Sequence, residues 1–365
     1  MDPTGEYYAE RLRKFQKLML REGIDASIVR TLSSFRYFTG IKWLRPALLV
    51  PAEGEPTAFV HESEIEEFRE RTWIEDVRGY RKAEELVRGV TSAIREGKFS
   101  VVGFDYSVER DSYVLFFELF KKLNPQISVR DVHSLIMELR MVKDEHEIEW
   151  MVRAARIAEE GMAKALEAIG PGVREIDVAA EAAYAMLKMG SEDPHIYVNA
   201  GPRPRIHAEP RAEVVIEEGH AVNVTIGAEY RGYYVNVSRT AFVGSPSAEQ
   251  ERARRAFLRA YELVVRELRP GVKLLDVEEK VRRTFEEEGL ANHYVTGFAH
   301  GVGLLIEEDP ITTIVVPHRS YVVKEGMVLA AIHAPLPIPG VGVIKYEDTF
   351  VVKREGVESL TKLEA

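Results

Sequence analysis

Pro171-Gly172-Val173 followed by Asp177-Val178, and again Pro270-Gly271-Val272 followed by Asp276-Val277, decide how this chain folds. In each, one helical pattern ends at the Pro-Gly and another opens at the Asp. Each copy then leads through a Glu-Gly turn into a strand, at Glu218-Gly219 and at Glu325-Gly326. Repetition of a unit this long predicts two similar α/β halves facing each other. A ligand belongs in the cleft between such halves.

Working outward, Asp144 and Glu147 are spaced as a capping pair ahead of Ile148, Met151, Ala155, Ala158, Met162 and Leu166. Their three-and-four spacing predicts a long amphipathic helix. Before it lie a helical pattern over 6–22 that stops at Gly23, a strand at Ala26–Val29, and runs at Ala47–Val50 and Thr57–Val60 that read as a hairpin. Ser100–Phe104 is a further β-rich run. The expected fold class is α/β (α+β), with a small N-terminal domain over 1–132, a connecting stretch over 133–143 and the two-halved domain over 144–365.

Two domains suit 365 residues. A 45% hydrophobic and 30% charged composition is that of a soluble globular protein. No apolar run approaches membrane-spanning length, and the start of the chain has no basic segment leading into an apolar one, so the expected location is cytoplasmic. A net charge of −10 opposes nucleic acid as a partner. With no cysteine, thiolate metal sites and a cysteine nucleophile are excluded, and any metal must take His, Asp and Glu.

Chemistry-bearing residues gather in the two halves. Val222, Val224 and Ile226 alternate with Asn223 and Thr225, and the following strand carries Tyr234, Asn236 and Ser238, so Thr225 and Asn236 can share one sheet face. His300 stands in Ala299-His300-Gly301-Val302-Gly303, where glycines let a ligand approach closely. Glu347-Asp348 ends a strand rich in Val343, Ile344 and Tyr346, and a carboxylate inside an apolar strand calls for a partner.

These motifs resemble the creatinase, aminopeptidase P and prolidase superfamily, the M24 pita-bread family. The likeness rests on Leu139–Glu145 with Glu147-Ile148, Gly227–Tyr234, Ser238-Arg239-Thr240, His300–Leu304 and Glu347-Asp348-Thr349. Ser34–Gly40 resembles a segment of the family's N-terminal creatinase-type domain. The resemblance implies that domain followed by a pseudo-twofold pita-bread domain. Active members hold two divalent ions on two aspartates, one histidine and two glutamates, with a bridging water as nucleophile.

Carried onto this chain, the aspartate positions are Thr225 and Asn236, while the histidine is kept as His300 and the last glutamate as Glu347. The other glutamate falls at His333 counted back from Glu347, or at Ile332 counted forward from Gly326-Met327. Glu307 replaces a substrate-contacting histidine, Glu308 keeps the acid beside it, and His207 matches the family's other active-site histidine. Thr, Asn and His offer no anionic bridge between two hard cations. The expectation is therefore no bound metal, or at most one weakly held divalent ion.

The leading expectation is a metal-independent hydrolase of small amide or C–N bonds. His207 acts as general base, with His300, His333 and Glu347 as the other catalytic residues, and Glu308, Asn236, Thr225 and Arg45 bind substrate. The alternatives are a catalytically inactive homologue that binds a small molecule or peptide, and a residual Xaa-Pro dipeptidase. Trp43 and Arg45 are placed in the site by likeness to a loop that reaches a neighbouring site in the family's dimers. The plain alternative is a surface aromatic and a salt-bridged arginine. The expected partners are a small-molecule or short-peptide ligand and a second copy of the chain.

Overall fold

A computed structural model describes residues 3–107 and 109–363 and divides into two compact units, Met1–Arg140 and Met141–Ala365. The first unit is built on a six-stranded sheet. Its strands are β1 (Ala26–Val29), β2 (Leu48–Pro51), β3 (Thr57–His61), β4 (Asp76–Tyr80), β5 (Val101–Phe104) and β6 (Ser128–Asp131), in the order β4-β3-β2-β1-β5-β6. β2 and β3 pair antiparallel, as the turn residues between them predict. Helix Gly5–Arg21 buries Leu12, Phe15 and Met19 and ends before Gly23 at φ +67°, a backbone angle glycine adopts without strain. Much of the expected connecting stretch is itself ordered, with His133–Arg140 forming a helix of the first unit that buries Leu135, Ile136 and Met137.

The second unit opens with the predicted long helix, Glu145–Ala168. Asp144 Oδ1 accepts from Glu147 N at 3.0 Å, and Glu147 Oε2 accepts from Asp144 N at 2.9 Å. This reciprocal cap satisfies two donors that a helix start leaves unpaired. Strands β7 (His195–Ala200), β8 (Ala221–Tyr230) and β9 (Tyr233–Phe242) form one antiparallel sheet. β10 (Ala299–Gly301), β11 (Glu308–Ile311), β12 (Val328–Ala331), β15 (Asp348–Lys353) and β16 (Gly356–Ser359) form another, with a hairpin of β13 (Leu336–Ile338) and β14 (Gly342–Ile344) beside them.

The internal echo is visible bond by bond. Gly172 N donates to Ile216 O at 2.8 Å and Gly271 N to Val323 O at 2.9 Å; Glu175 N donates to Val214 O, and Leu274 N to Tyr321 O. Gly219 N donates to Val243 O and Gly326 N to Val352 O, so each Glu-Gly turn is held by the strand that pairs with the one it opens. Equivalent residues make equivalent bonds, which is the physical content of a pseudo-twofold domain.

The two sheets meet where β9 passes the start of β15. Ser238 N donates to Glu347 O at 3.0 Å and Glu347 N to Ser238 O at 3.1 Å. Thr349 Oγ1 both accepts from Asn236 N and donates to Asn236 O, each at 2.8 Å. Buried Arg239 donates to Ser238 O, Glu347 O and both carboxylate oxygens of Asp348, and Tyr261 OH donates to Asp348 as well. Removing one member leaves a buried charge without its counter-charge. Asp348→Leu and Arg239→Met are each expected to lower stability by about 3–5 kcal/mol, and the two together by less than either single change. Urea unfolding midpoints of the four proteins check this.

Candidate active site

Alternation along β8 and β9 puts Thr225, Gly227, Asn236 and Ser238 on one face, because Thr225 pairs with Ser238 and Gly227 with Asn236. Thr225 Oγ1 shares a 2.8 Å hydrogen bond with Ser238 Oγ. Asn236 Nδ2 donates to Ile306 O at 3.0 Å and lies 3.3 Å from His300 Nε2, while its Oδ1 is buried without a hydrogen bond. A Cβ at Gly227 would press on the tip of the Ile306 side chain, which would have to shift.

From the other half come His300 on β10, His333 just after β12, and Glu347 just before β15. His300 Nδ1 donates to Gly301 O at 2.8 Å, which fixes the ring tautomer and leaves the Nε2 lone pair facing His333 Nδ1 at 3.1 Å. His333 Nδ1 is also 2.8 Å from Glu347 Oε1, and its Nε2 is 3.6 Å from Glu307 Oε1. The structure thus brings His333 into the cluster, whereas Ile332 is buried in the hydrophobic core. The His207 ring lies tilted against His333, 4.6 Å centroid to centroid, and 5.8 Å from Tyr197. These side chains, with Glu307 and Ile306, line a cavity of about 30 Å³, room for one or two water molecules.

One expected substrate-binding residue, Glu308, is turned to a partner away from the cavity. Glu308 Oε1 accepts from Lys143 Nζ at 2.7 Å in a pair that is 1% exposed on both sides, and the carboxylate packs where Gly303 has no side chain. Arg45 is an exposed residue of the first unit, paired with Glu64. Tyr197 and Ile306, which line the cavity, went unread in the sequence, and so did a buried lysine beside Glu347. Lys345 is 1% exposed, with Nζ 3.0 Å from Glu347 Oε2 and 3.5 Å from His207 Nε2. The available signal was a lysine between Ile344 and Tyr346, two positions before a carboxylate and hence on its strand face.

Electrostatics follow from this crowding. Burial alone would raise the Glu347 carboxyl, but Lys345, then His333 and His300, outweigh it and hold it well below the usual carboxylate range. Burial, with Lys345 as the next cause, pushes His333 well below its ordinary value and His207 down to about 4. Both rings are neutral at pH 7.

Residues 149–354 match metallopeptidase family M24, and residues 11–142 match the creatinase/prolidase N-terminal domain. The chain belongs to metallopeptidase family M24. The Xaa-Pro dipeptidase of Pyrococcus furiosus is 29% identical over 357 residues, covering 97% of this chain and 98% of that protein. The prolidase structure from Pyrococcus horikoshii OT3 superposes with a TM-score of 0.87 at 27% identity, covering 97% and 99% of the two chains. That from Pyrococcus furiosus gives 0.85 at 28% identity, covering 96% and 100%.

Membership of M24 corrects the expectation that no metal is bound. This is a family of metal enzymes, and the chain keeps two groups of metal-ligating chemistry, His300-His333-Glu347 and His207-Glu307-His333. Within each group the ligand atoms lie within 4.8 Å of one another. The donor set suits a borderline divalent ion, and the unpartnered Asn236 Oδ1 adds a neutral oxygen beside the first group. Thr225 and Asn236 leave Glu347 as the carboxylate facing His300, so the first group offers one anionic donor. Among the described residues no helix is long and apolar enough to cross a membrane.

In the metal-free protein the depressed His207 gives a pH signature. Between about pH 6.5 and 4 the unfolded chain binds a proton that the folded chain refuses, so stability falls as pH drops through this window. His207→Gln is expected to flatten that decline. An NMR titration of the His207 ring should find its midpoint near 4, and a midpoint at the ordinary value would sink the burial argument.

Proposed function

We propose that the protein is a hydrolase of small peptide or amide bonds, of the Xaa-Pro dipeptidase kind, acting with a single divalent ion held by His300, His333 and Glu347. The observation that carries this is the convergence of two imidazoles and one buried carboxylate, with the His300 Nε2 lone pair turned inward by the Nδ1 bond to Gly301. The names of the similar Pyrococcus proteins support the substrate class. When bound, the ion supplies Lewis acidity and lowers the pKa of a coordinated water. Neutral His207 lines the cavity with Nε2 3.5 Å from Lys345 Nζ, where it can act as the general base expected from the sequence. Thr225 and Asn236 give the cavity neutral polar walls.

A second reading, a non-catalytic homologue that binds a small molecule or peptide, is favoured by the cavity of about 30 Å³ and by the donors pairing with one another. A homodimer is proposed on the family resemblance.

Purified protein is incubated with excess Mn²⁺ or Co²⁺ and desalted; bound metal is measured by elemental analysis and turnover on Xaa-Pro dipeptides by product release. The proposed enzyme retains about one ion per chain and turns over, and Glu347→Gln lowers metal affinity by about a hundredfold. Retention without turnover of any small amide favours the binder. Absence of retention removes the one-ion hydrolase.

A further inference from the structure

His207 reaches the cavity from a loop, and its own backbone is strained there: φ is +46°, in the left-handed region that a residue with a side chain enters at a cost. Such a conformation persists only where the surroundings hold it. What holds this one is Glu175, the first residue of the helix Glu175–Lys188. Its side chain is wholly buried, and its carboxylate collects donors from three points along the loop. Ala200 N donates to Oε1 at 2.7 Å, Arg211 N to Oε2 at 3.0 Å, and Arg205 Nη2 to both oxygens at 2.5 Å. Arg205 Nη1 reaches on to Glu209 O at 3.2 Å, and Val198 N donates to Ala208 O at 3.1 Å. The loop is therefore tied down on both sides of His207, two residues before it and one after.

The internal repeat supplies a control for this position. Pro171-Gly172-Val173-Arg174-Glu175 corresponds to Pro270-Gly271-Val272-Lys273-Leu274, and Glu175 N and Leu274 N make equivalent backbone bonds to Val214 O and Tyr321 O. Leu274 is 1% exposed and packs into the hydrophobic core of its half. The same turn thus accepts a buried leucine, and a carboxylate in that place costs desolvation that only its partners offset. All the partners named above belong to the stretch 200–211 that carries His207. We propose that Glu175 and Arg205 are a positioning pair that fixes the His207 ring over the cavity and against His333. This rests on the hydrolase reading with His207 as base, and adds the groups that hold the base in place without touching substrate.

Glu175→Leu installs the residue of the twin half. Two readouts are taken: the nuclear Overhauser contact between the His207 and His333 rings, 4.6 Å apart by centroid, in the protein as purified, and turnover of an Xaa-Pro dipeptide after loading with Mn²⁺. The variant is expected to lose the ring contact and about a hundredfold in turnover, as a misplaced catalytic group does. Glu175→Leu with His207→Ala is expected to turn over as fast as His207→Ala alone, because a residue acting through His207 has nothing left to act on. If Glu175→Leu does not fold, Arg205→Met, at a side chain 21% exposed, removes the loop's half of the pair and is expected to lose the same ring contact. Retention of the contact in the folded variant, or a loss that adds to that of His207→Ala, overturns the pair's role and leaves the hydrolase reading intact. Loss of the contact in a protein whose natural form turns over no small amide supports the positioning of the ring and removes the hydrolase reading.

Discussion

The reciprocal backbone bonds between Ser238 and Glu347 join the sheets of the two halves, and the candidate active site depends on them. Because residues alternate across a strand, this one junction orients Asn236 two positions from Ser238 and sets the Glu347 side chain opposite it. Thr349 doubles the tie at Asn236, and Arg239 locks it from behind through Asp348. The polar groups that hold the seam are buried, so the seam tolerates no half-made bonds. Site geometry and domain stability are consequently the same problem here.

On this frame the electrostatics of the centre have been redistributed. Glu347 remains as a buried carboxylate, with Lys345 as its charged partner and His333 in hydrogen-bond contact. Positions that the family resemblance assigns to aspartates carry Thr225, hydrogen-bonded to Ser238, and Asn236, hydrogen-bonded to Ile306. Glu307 enters at the cavity wall and faces the outer nitrogen of His333. The result is a centre in which a buried lysine stands beside the remaining buried carboxylate. The neutral histidines that result are a consequence of burial beside that lysine rather than of any special property of the rings.

Much of this was legible before any coordinates. The repeated Pro-Gly, Asp and Glu-Gly signals marked equivalent turns whose hydrogen bonds recur in both halves, and Asp144 with Glu147 marked a helix start that the reciprocal cap fulfils. The alternation over Thr225 and Asn236 placed them on one face. These features are local, set by turn chemistry and strand period, and local rules read along a chain. Metal binding was misjudged because counting lost carboxylates at single positions cannot measure how closely the remaining donors converge.

The sequence by itself determined the two-halved architecture, the family and the identity of the residue at each inherited ligand position. Tertiary structure decided which of those residues meet. It chose His333 over Ile332 for the cluster, turned Glu308 to Lys143, and brought Lys345 to His207 across 138 residues of chain. The reason is physical: strand period fixes the face on which a side chain emerges, but the partner it finds there depends on how separate strands are registered. That register is set by the seam between the sheets, which no local stretch of sequence contains.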